Sequence, residues 1–233
     1  MAAGEMEFWQ DELKDSLLQE VWPDSFKSIV SKVSQGIPLS REDGHFLFTT
    51  PDLDTIGLLA NYAKRARFGE SVFFNVNVHI NQSNICTLAC KFCAFRRGRR
   101  AKDAYQMEID EYLEDLSKYS SHVDEVHSVG GLHPEWDINY YTELFSRVKQ
   151  EYPHIHIKAL TAVEIKHIAN LSGLTYKETL TKLRDSGLGS IPGGGAEILD
   201  DDVRSIICRG KESSSEYIET VSYTHLRAHE TIA

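Results

Sequence analysis

The chain has 233 residues, with 25 Lys and Arg against 35 Asp and Glu, giving a formal net charge of -10 at pH 7. That acidity argues against a general nucleic-acid binder, which needs a basic surface to displace counterions. With 41% hydrophobic and 26% charged residues the composition is globular, and no apolar run reaches the roughly 18 residues that span a bilayer.

The first residues, Met1 to Leu13, are acidic and lack an apolar h-region, which excludes a secretory signal and points to a cytoplasmic protein. Residues 1–70 read as a helical region. Ile29, Val30 and Val33 share one helix face, and Gly36-Ile37-Pro38 stops it. Ser40 and Asp43 resemble a capping box, and Ile56, Leu59, Ala60 and Ala63 repeat the stripe of a helix packed on one side.

From Ser71 the texture changes. Residues 71–80 (SVFFNVNVHI) are rich in β-branched and aromatic side chains and predict a strand. Ile109, Tyr112, Leu113 and Leu116 then make a helix stripe, and 123–129 a strand running into Gly130-Gly131. Tyr141, Leu144, Phe145 and Val148 make the next helix, and 154–160 the third strand. Tyr176, Thr179, Leu180 and Leu183 stripe a further helix, boxed by Thr175 and Glu178, before a short strand at 188–192 opens into Gly193-Gly194-Gly195. Strand–helix alternation at this spacing implies right-handed βαβ units and a parallel sheet. The expected fold is therefore α/β, a partial (β/α) barrel over 71–220 behind a helical N-terminal region. Four strands are too few to close a barrel. Val221 to Ala233 carries no stripe and resembles a translated sequencing-adapter tail, so 221–233 reads as non-native and the barrel as cut short near Thr220.

Cys86, Cys90 and Cys93 follow the first strand as C-x3-C-x2-C, and Cys208 stands apart. Disulfides are rare in the cytosol, so three crowded thiols point to metal. Zinc sites generally pair two CxxC knuckles, and no second pair is present. Three thiolates suit a 4Fe-4S cluster with one iron left open to a small-molecule ligand. A plain iron–sulfur electron carrier and a zinc-binding module are the readings from other classes.

The triad, with Phe92 just before its last cysteine, resembles the signature of radical S-adenosylmethionine (SAM) enzymes. The wider text narrows that resemblance: Asn84-Ile85-Cys86 through Phe95, Gly130-Gly131-Leu132-His133-Pro134, residues 156–165 (HIKALTAVEI) and 190–198 (SIPGGGAEI), with Arg204, Cys208, Lys211 and Glu212 downstream. Together they resemble the aminofutalosine (aminodeoxyfutalosine) synthase family of menaquinone biosynthesis. Cyclic dehypoxanthine futalosine synthase and the synthase subunits for the deazaflavin of coenzyme F420 are its near relatives. Thr161-Ala162-Val163-Glu164 favours the first, since the others tend to carry a Ser-Pro pair there.

The resemblance implies a radical SAM transferase that adds the 5'-deoxyadenosyl radical to an aromatic enol ether, 3-[(1-carboxyvinyl)oxy]benzoate, giving 6-amino-6-deoxyfutalosine. SAM is a co-substrate. Cys86, Cys90 and Cys93 would hold the cluster, while Phe92, Gly130, Gly131, Glu164, Gly193 and Gly194 would contact SAM. A flavodoxin or ferredoxin would supply the electron, with neither nucleic acid nor membrane as partner. Plainer readings stand beside these. Glu164 and Glu197 read alternatively as helix-start carboxylates, His133 as a residue that fixes a turn, His154 and His156 as structural, and Cys208 as a small buried hydrophobe. Arg96, Arg97, Arg99 and Arg100 form either a solvated loop or a surface that steers an acidic protein or the dianionic substrate.

Overall fold

The computed structural model describes residues 5–230, and the side chains of residues 9–223. The apolar stripes of the first 74 residues become four helices, α1 (Glu5–Leu18), α2 (Lys27–Ser34), α3 (Arg41–Thr49) and α4 (Leu53–Phe68). Leu13, Leu17, Phe26, Ile29, Val30 and Leu59 form a core of their own, which makes Met1–Phe74 one compact unit. Its capping box closes α3: Asp43 N–H donates to Ser40 Oγ, and Ser40 N–H donates back to Asp43 Oδ2 at 2.7 Å.

Asn75–Ala233 forms the second unit. Its elements are β1 (Asn77–His79), α5 (Ile109–Ser117), β2 (Glu125–Ser128), α6 (Ile138–Glu151), β3 (His156–Ala159), α7 (Ala162–Ser172), α8 (Tyr176–Asp185), β4 (Leu188–Ser190), α9 (Asp201–Ile207) and α10 (Ser214–Glu230). The strands form one parallel sheet in the order β1-β2-β3-β4. Val126, Ile157 and Leu188 on one sheet face pack with Tyr112 and Leu116 of α5, Tyr141 and Phe145 of α6, and Ile165 and Ile168 of α7. Helices cover that face, and the result is a partial (β/α) barrel.

Several elements depart from the sequence reading. The first strand is three residues, not ten: Val76 O still accepts from Asp124 and Glu125 N–H, but β2 starts at Glu125, so residues before Val76 meet no ladder. Val72, Phe73 and Phe74 are exposed as a consequence. α7 has no clean stripe in the sequence, because the four consecutive residues Ala162, Val163, Glu164 and Ile165 are all buried, as are Ile168 and Ala169, and the buried side is too wide to show a period. Residues 221–230, read as a stripe-free tail, continue α10, and 231–233 lie outside the described residues. No described helix is long and apolar enough to cross a membrane.

Candidate functional site

The C-terminal ends of the parallel strands carry every glycine and cysteine motif read from the sequence, where α/β enzymes place their chemistry. Directly after β1, the chain enters a long loop pegged by buried polar side chains. Asn84 donates through Nδ2 to Asp103 O at 2.8 Å, and its Oδ1 accepts from Tyr105 N–H at 2.8 Å. Ser83 Oγ donates to Tyr105 O and accepts from Ile85 N–H, while Gln82 Oε1 accepts from Ser128 Oγ of β2. Ile85 pairs with Arg97 in a short bridge, and Cys86 N–H donates to Arg97 O. These buried polar residues close the loop on both sides of the cysteines.

The glycine pair lies flat against this loop. Gly131 N–H donates to Ser83 O at 2.8 Å, and Thr87 N–H donates to Leu132 O at 3.0 Å. A Cβ on Gly131 would come within 2.3 Å of Ile85 O, and one on Gly130 within 2.6 Å of Gln82 Nε2. At Gly131 the obstacle is backbone and only glycine permits the approach, whereas at Gly130 it is the end of the Gln82 side chain. On the other side, Gly130 N–H donates to Glu164 Oε1 at 2.9 Å, and Glu164 Oε2 accepts from Thr161 Oγ1 at 2.9 Å. Glu164 is 2% exposed, and burial pushes its carboxyl up to about 7 against the pull of those hydrogen bonds. Leu160, at the turn that aims Thr161 and Glu164, has φ +65, an uncommon conformation for a buried leucine.

Cys86, Cys90 and Cys93 are free thiols, the first two half-buried and the third exposed. Cys93 N–H donates to Cys90 O in the turn between them. The structure adds a neighbour that the sequence placed apart. Lys91 N–H donates to Ile207 O at 2.7 Å, which brings the end of α9 onto the cysteine loop. Buried Cys208 thereby sits beside Cys90, whose thiol is pushed up to about 11 by burial, with Cys208 and Cys86 acting the same way and Lys211 opposing. Among the described residues no three His, Cys, Asp or Glu converge at the spacing of a single ion, the arrangement a zinc site demands. A cubane takes one thiolate per iron, a wider spacing. Three thiols on one braced loop, with no carboxylate among the donors, fit such a group.

The remaining residues sort cleanly. Arg204, buried at the heart of the α9 region, donates to Ala196 O, Ile198 O, Glu212 O and Glu212 Oε1, clasping the triple-glycine loop to residues 208–213. Lys211 pairs with Glu197 at 2.5 Å, so Glu197 serves this clasp. No atom lies within 4 Å of a Cβ built on Gly193, and only Thr161 Cγ2, at 3.4 Å, on Gly194. Phe92 is 51% exposed. His133 is buried with Nδ1 accepting from Glu135 N–H and Nε2 facing Gln106 Oε1, so it fixes a turn; burial holds its pKa down. His154 faces Ser120 O, and His156 faces Ser190 Oγ. Within the arginine run, Arg97 pairs with Asp103 and Arg99 grips Glu135 through two bonds, so their charge is already answered. The sequence reading missed Gln82 and Ser83; the signal was a polar run, Asn81-Gln82-Ser83-Asn84, between a strand and the first cysteine.

Comparison with known proteins agrees with this geometry. Residues 80–227 match the family model described as the radical SAM superfamily. The chain is 37% identical over 203 residues to an aminodeoxyfutalosine synthase from Thermus thermophilus, covering 87% of this chain and 54% of that one. It is 38% identical over 206 residues to the Streptomyces coelicolor enzyme of the same name, covering 88% of this chain and 52% of that one. An FO synthase from Mycobacterium tuberculosis is 37% identical over 195 residues, covering 81% of this chain and 22% of that protein. The chain thus spans about half the length, or less, of these relatives. Among solved structures, an FeFe-hydrogenase maturase superposes with a TM-score of 0.66 at 14% identity, over 94% of this chain and 47% of that one. Methylornithine synthase superposes at 0.56 and 20% identity, over 92% and 56%. The cysteine loop, the glycine strip and the half-barrel beneath them lead to one assignment: the chain belongs to the radical SAM superfamily, whose members use a 4Fe-4S cluster and S-adenosylmethionine.

Proposed function

We propose that this chain carries the catalytic half-barrel of a radical SAM transferase of the aminodeoxyfutalosine synthase type. It would join the 5'-deoxyadenosyl group of SAM to 3-[(1-carboxyvinyl)oxy]benzoate in menaquinone biosynthesis. The observation that carries this reading is the three-thiol loop held edge-on to Gly130-Gly131 at the strand ends. The identity to two synthases of that name supports the choice of substrate.

Cys86, Cys90 and Cys93 would hold the cluster, which when bound supplies the electron that cleaves the SAM sulfonium. The protein's own groups then bind and orient. Both N–H groups of the glycine pair are already engaged, by Glu164 and Ser83. That leaves their carbonyl oxygens for the methionyl ammonium, which needs acceptors. Glu164 acts here through Gly130, as a positioning residue, and not by touching ribose. Exposed Phe92 offers its ring to the adenine, and the open side of Gly193 and Gly194 lets a ligand approach the backbone. Arg100 and Lys102 are exposed and stand in no ion pair among the described residues, which gives an acidic flavodoxin or ferredoxin a contact near the cluster loop.

A second reading is a deazaflavin-forming enzyme of the same group, favoured by the identity to FO synthase. Anaerobic reconstitution of this chain with iron and sulfide, followed by SAM, a reductant and the enolpyruvyl benzoate, tests both. Mass spectrometry is expected to find an adenosyl adduct of the benzoate. SAM cleavage without that adduct would move the assignment to the second reading, and cluster uptake without SAM cleavage would reduce the chain to an electron carrier.

A further inference from the structure

The two faces of the sheet differ sharply in chemistry. Val78, Val126, Ile157 and Leu188 point into the helix-covered core, so their neighbours on β1, β2 and β3 occupy the opposite face, and a register shift between β3 and β4 brings Ser190 onto that face beside Lys158. The strand register sets those neighbours in two rows. His79, His127, Lys158 and Ser190 form the row nearer the loops, and Asn77, Glu125 and His156 the row below. The upper row lies just beneath the glycine loops, since His127 and Ser190 each precede their glycine motif by only three residues.

This array is polar and incompletely paired. Glu125 is 7% exposed, yet its Oε1 has no hydrogen-bond partner, and Lys158 Nζ stands 3.9 Å away, beyond hydrogen-bond reach. His127 Nε2 is likewise buried without a partner. Its ring stacks on His79 with centroids 4.8 Å apart. Burial, with His79 and Lys158 beside it, holds the His127 pKa below its ordinary value, and Glu125 opposes them. His156 is spent on Ser190 Oγ at 2.8 Å. A buried carboxylate oxygen and a buried imidazole nitrogen left open around one ammonium mark a cluster that lacks a partner.

We infer that Lys158 and His127 form a carboxylate-binding subsite on the open face of the sheet, rooted on Glu125. A carboxylate seated there accepts from Lys158 Nζ with one oxygen and from His127 Nε2–H with the other. At 3.9 Å the Lys158 ammonium offsets the Glu125 charge without a hydrogen bond, so its N–H donors remain for the ligand. A cation is the wrong occupant: the ammonium repels it, and no three His, Cys, Asp or Glu converge at ion spacing among the described residues. The inference rests on the proposed function for the identity of the ligand, an aromatic carboxylate held below the loops so that its alkene faces them.

The test uses the chain as it is, without cluster, labelled with 15N at histidine and titrated with benzoate, with its neutral isostere benzamide and with sulfate. Benzoate is expected to shift the His127 Nε2 resonance saturably and to raise the ring's pKa, with benzamide and sulfate inert. Lys158→Gln is expected to weaken benzoate about tenfold, the size of one charge-assisted hydrogen bond, and Lys158→Arg to restore part of it. Equal effects of benzoate and benzamide in the unmodified chain would overturn the subsite, whether or not the variants fold, as would a Lys158→Gln chain that binds benzoate unchanged. Benzoate binding with no adenosyl adduct sinks the transferase reading and leaves the subsite standing. An adduct formed by Lys158→Gln with unaltered KM does the reverse.

Discussion

Gly131 and Glu164 hold one strip of backbone from opposite sides, and each can be disturbed separately. In Gly131→Ala the new methyl meets Ile85 O at 2.3 Å and Cys86 Cβ at 3.0 Å, and a backbone carbonyl has nowhere cheap to go. Overpacking of this kind costs ~1–3 kcal/mol, and because the displaced atoms belong to the first cysteine and the residue before it, cluster uptake should fall with melting temperature. Gly193→Ala is the contrast: with no atom within 4 Å, it should leave the melting temperature alone and weaken SAM binding. Calorimetry and the iron content of reconstituted protein read both. Glu164 makes a pH prediction. Its carboxyl sits near 7 in the fold against an ordinary 4.5, because burial disfavours the charged form. The folded chain therefore keeps a proton that the unfolded chain releases, so stability is full below about 4.5 and declines as pH rises to about 7. Glu164→Gln keeps an acceptor for Gly130 N–H and carries no charge at any pH. Its melting temperature should gain on the parent between pH 5 and pH 8, and parallel pH curves for the two proteins would refute the argument.

Elements were legible in the sequence to the degree that they present contrasting faces. α2, α4, α5, α6 and α8 each bury one stripe and expose the other, and the boxes at Ser40 and Thr175 marked two helix starts. The three cysteines and both glycine motifs were readable because their spacing is local. What escaped was set by partners distant in sequence. The ladder beyond Val76 fails for want of a facing strand, α7 is buried on too many sides to show a period, and Cys208 meets Cys90 through a fold-over no spacing could announce. Arg204 belongs to this class: the sequence flagged it, but not that it clasps two loops. Its side chain and that of Glu212 are 3% and 1% exposed and meet at 3.1 Å, and burial holds the Glu212 carboxyl above its ordinary range. Removing one member of such a pair strands the other charge, so Arg204→Met should cost ~3–5 kcal/mol. Replacing both, as Arg204→Met with Glu212→Leu, should recover a large share. Amide exchange of β2 and β3 under urea measures each, and equal losses for the single and double variants would show that the clasp acts through its backbone contacts alone.

At the scale of the whole molecule, every residue of the site falls within 75–233, while the helices before it keep a separate core of Leu13, Leu17, Phe26, Ile29, Val30 and Leu59. Between Phe68 and Asn77 there is no helix or strand, and Val72, Phe73 and Phe74 are 80%, 76% and 87% exposed. Irregular backbone with exposed aromatic side chains is what chymotrypsin selects. Limited digestion should cut after Phe73 or Phe74 before any site within the sheet, whose amides are tied into the ladders. The 75–233 fragment contains the cysteine loop, its polar pegs and the glycine strip, so after anaerobic reconstitution it should take up iron and sulfide as the intact chain does. Separated fragments would be compared by mass spectrometry for the cut and by visible absorption for the cluster. A fragment that folds but takes up no cluster would mean that the helical region contributes to the site, and cuts inside β2 or β3 at equal rate would mean that the second unit has no independent stability.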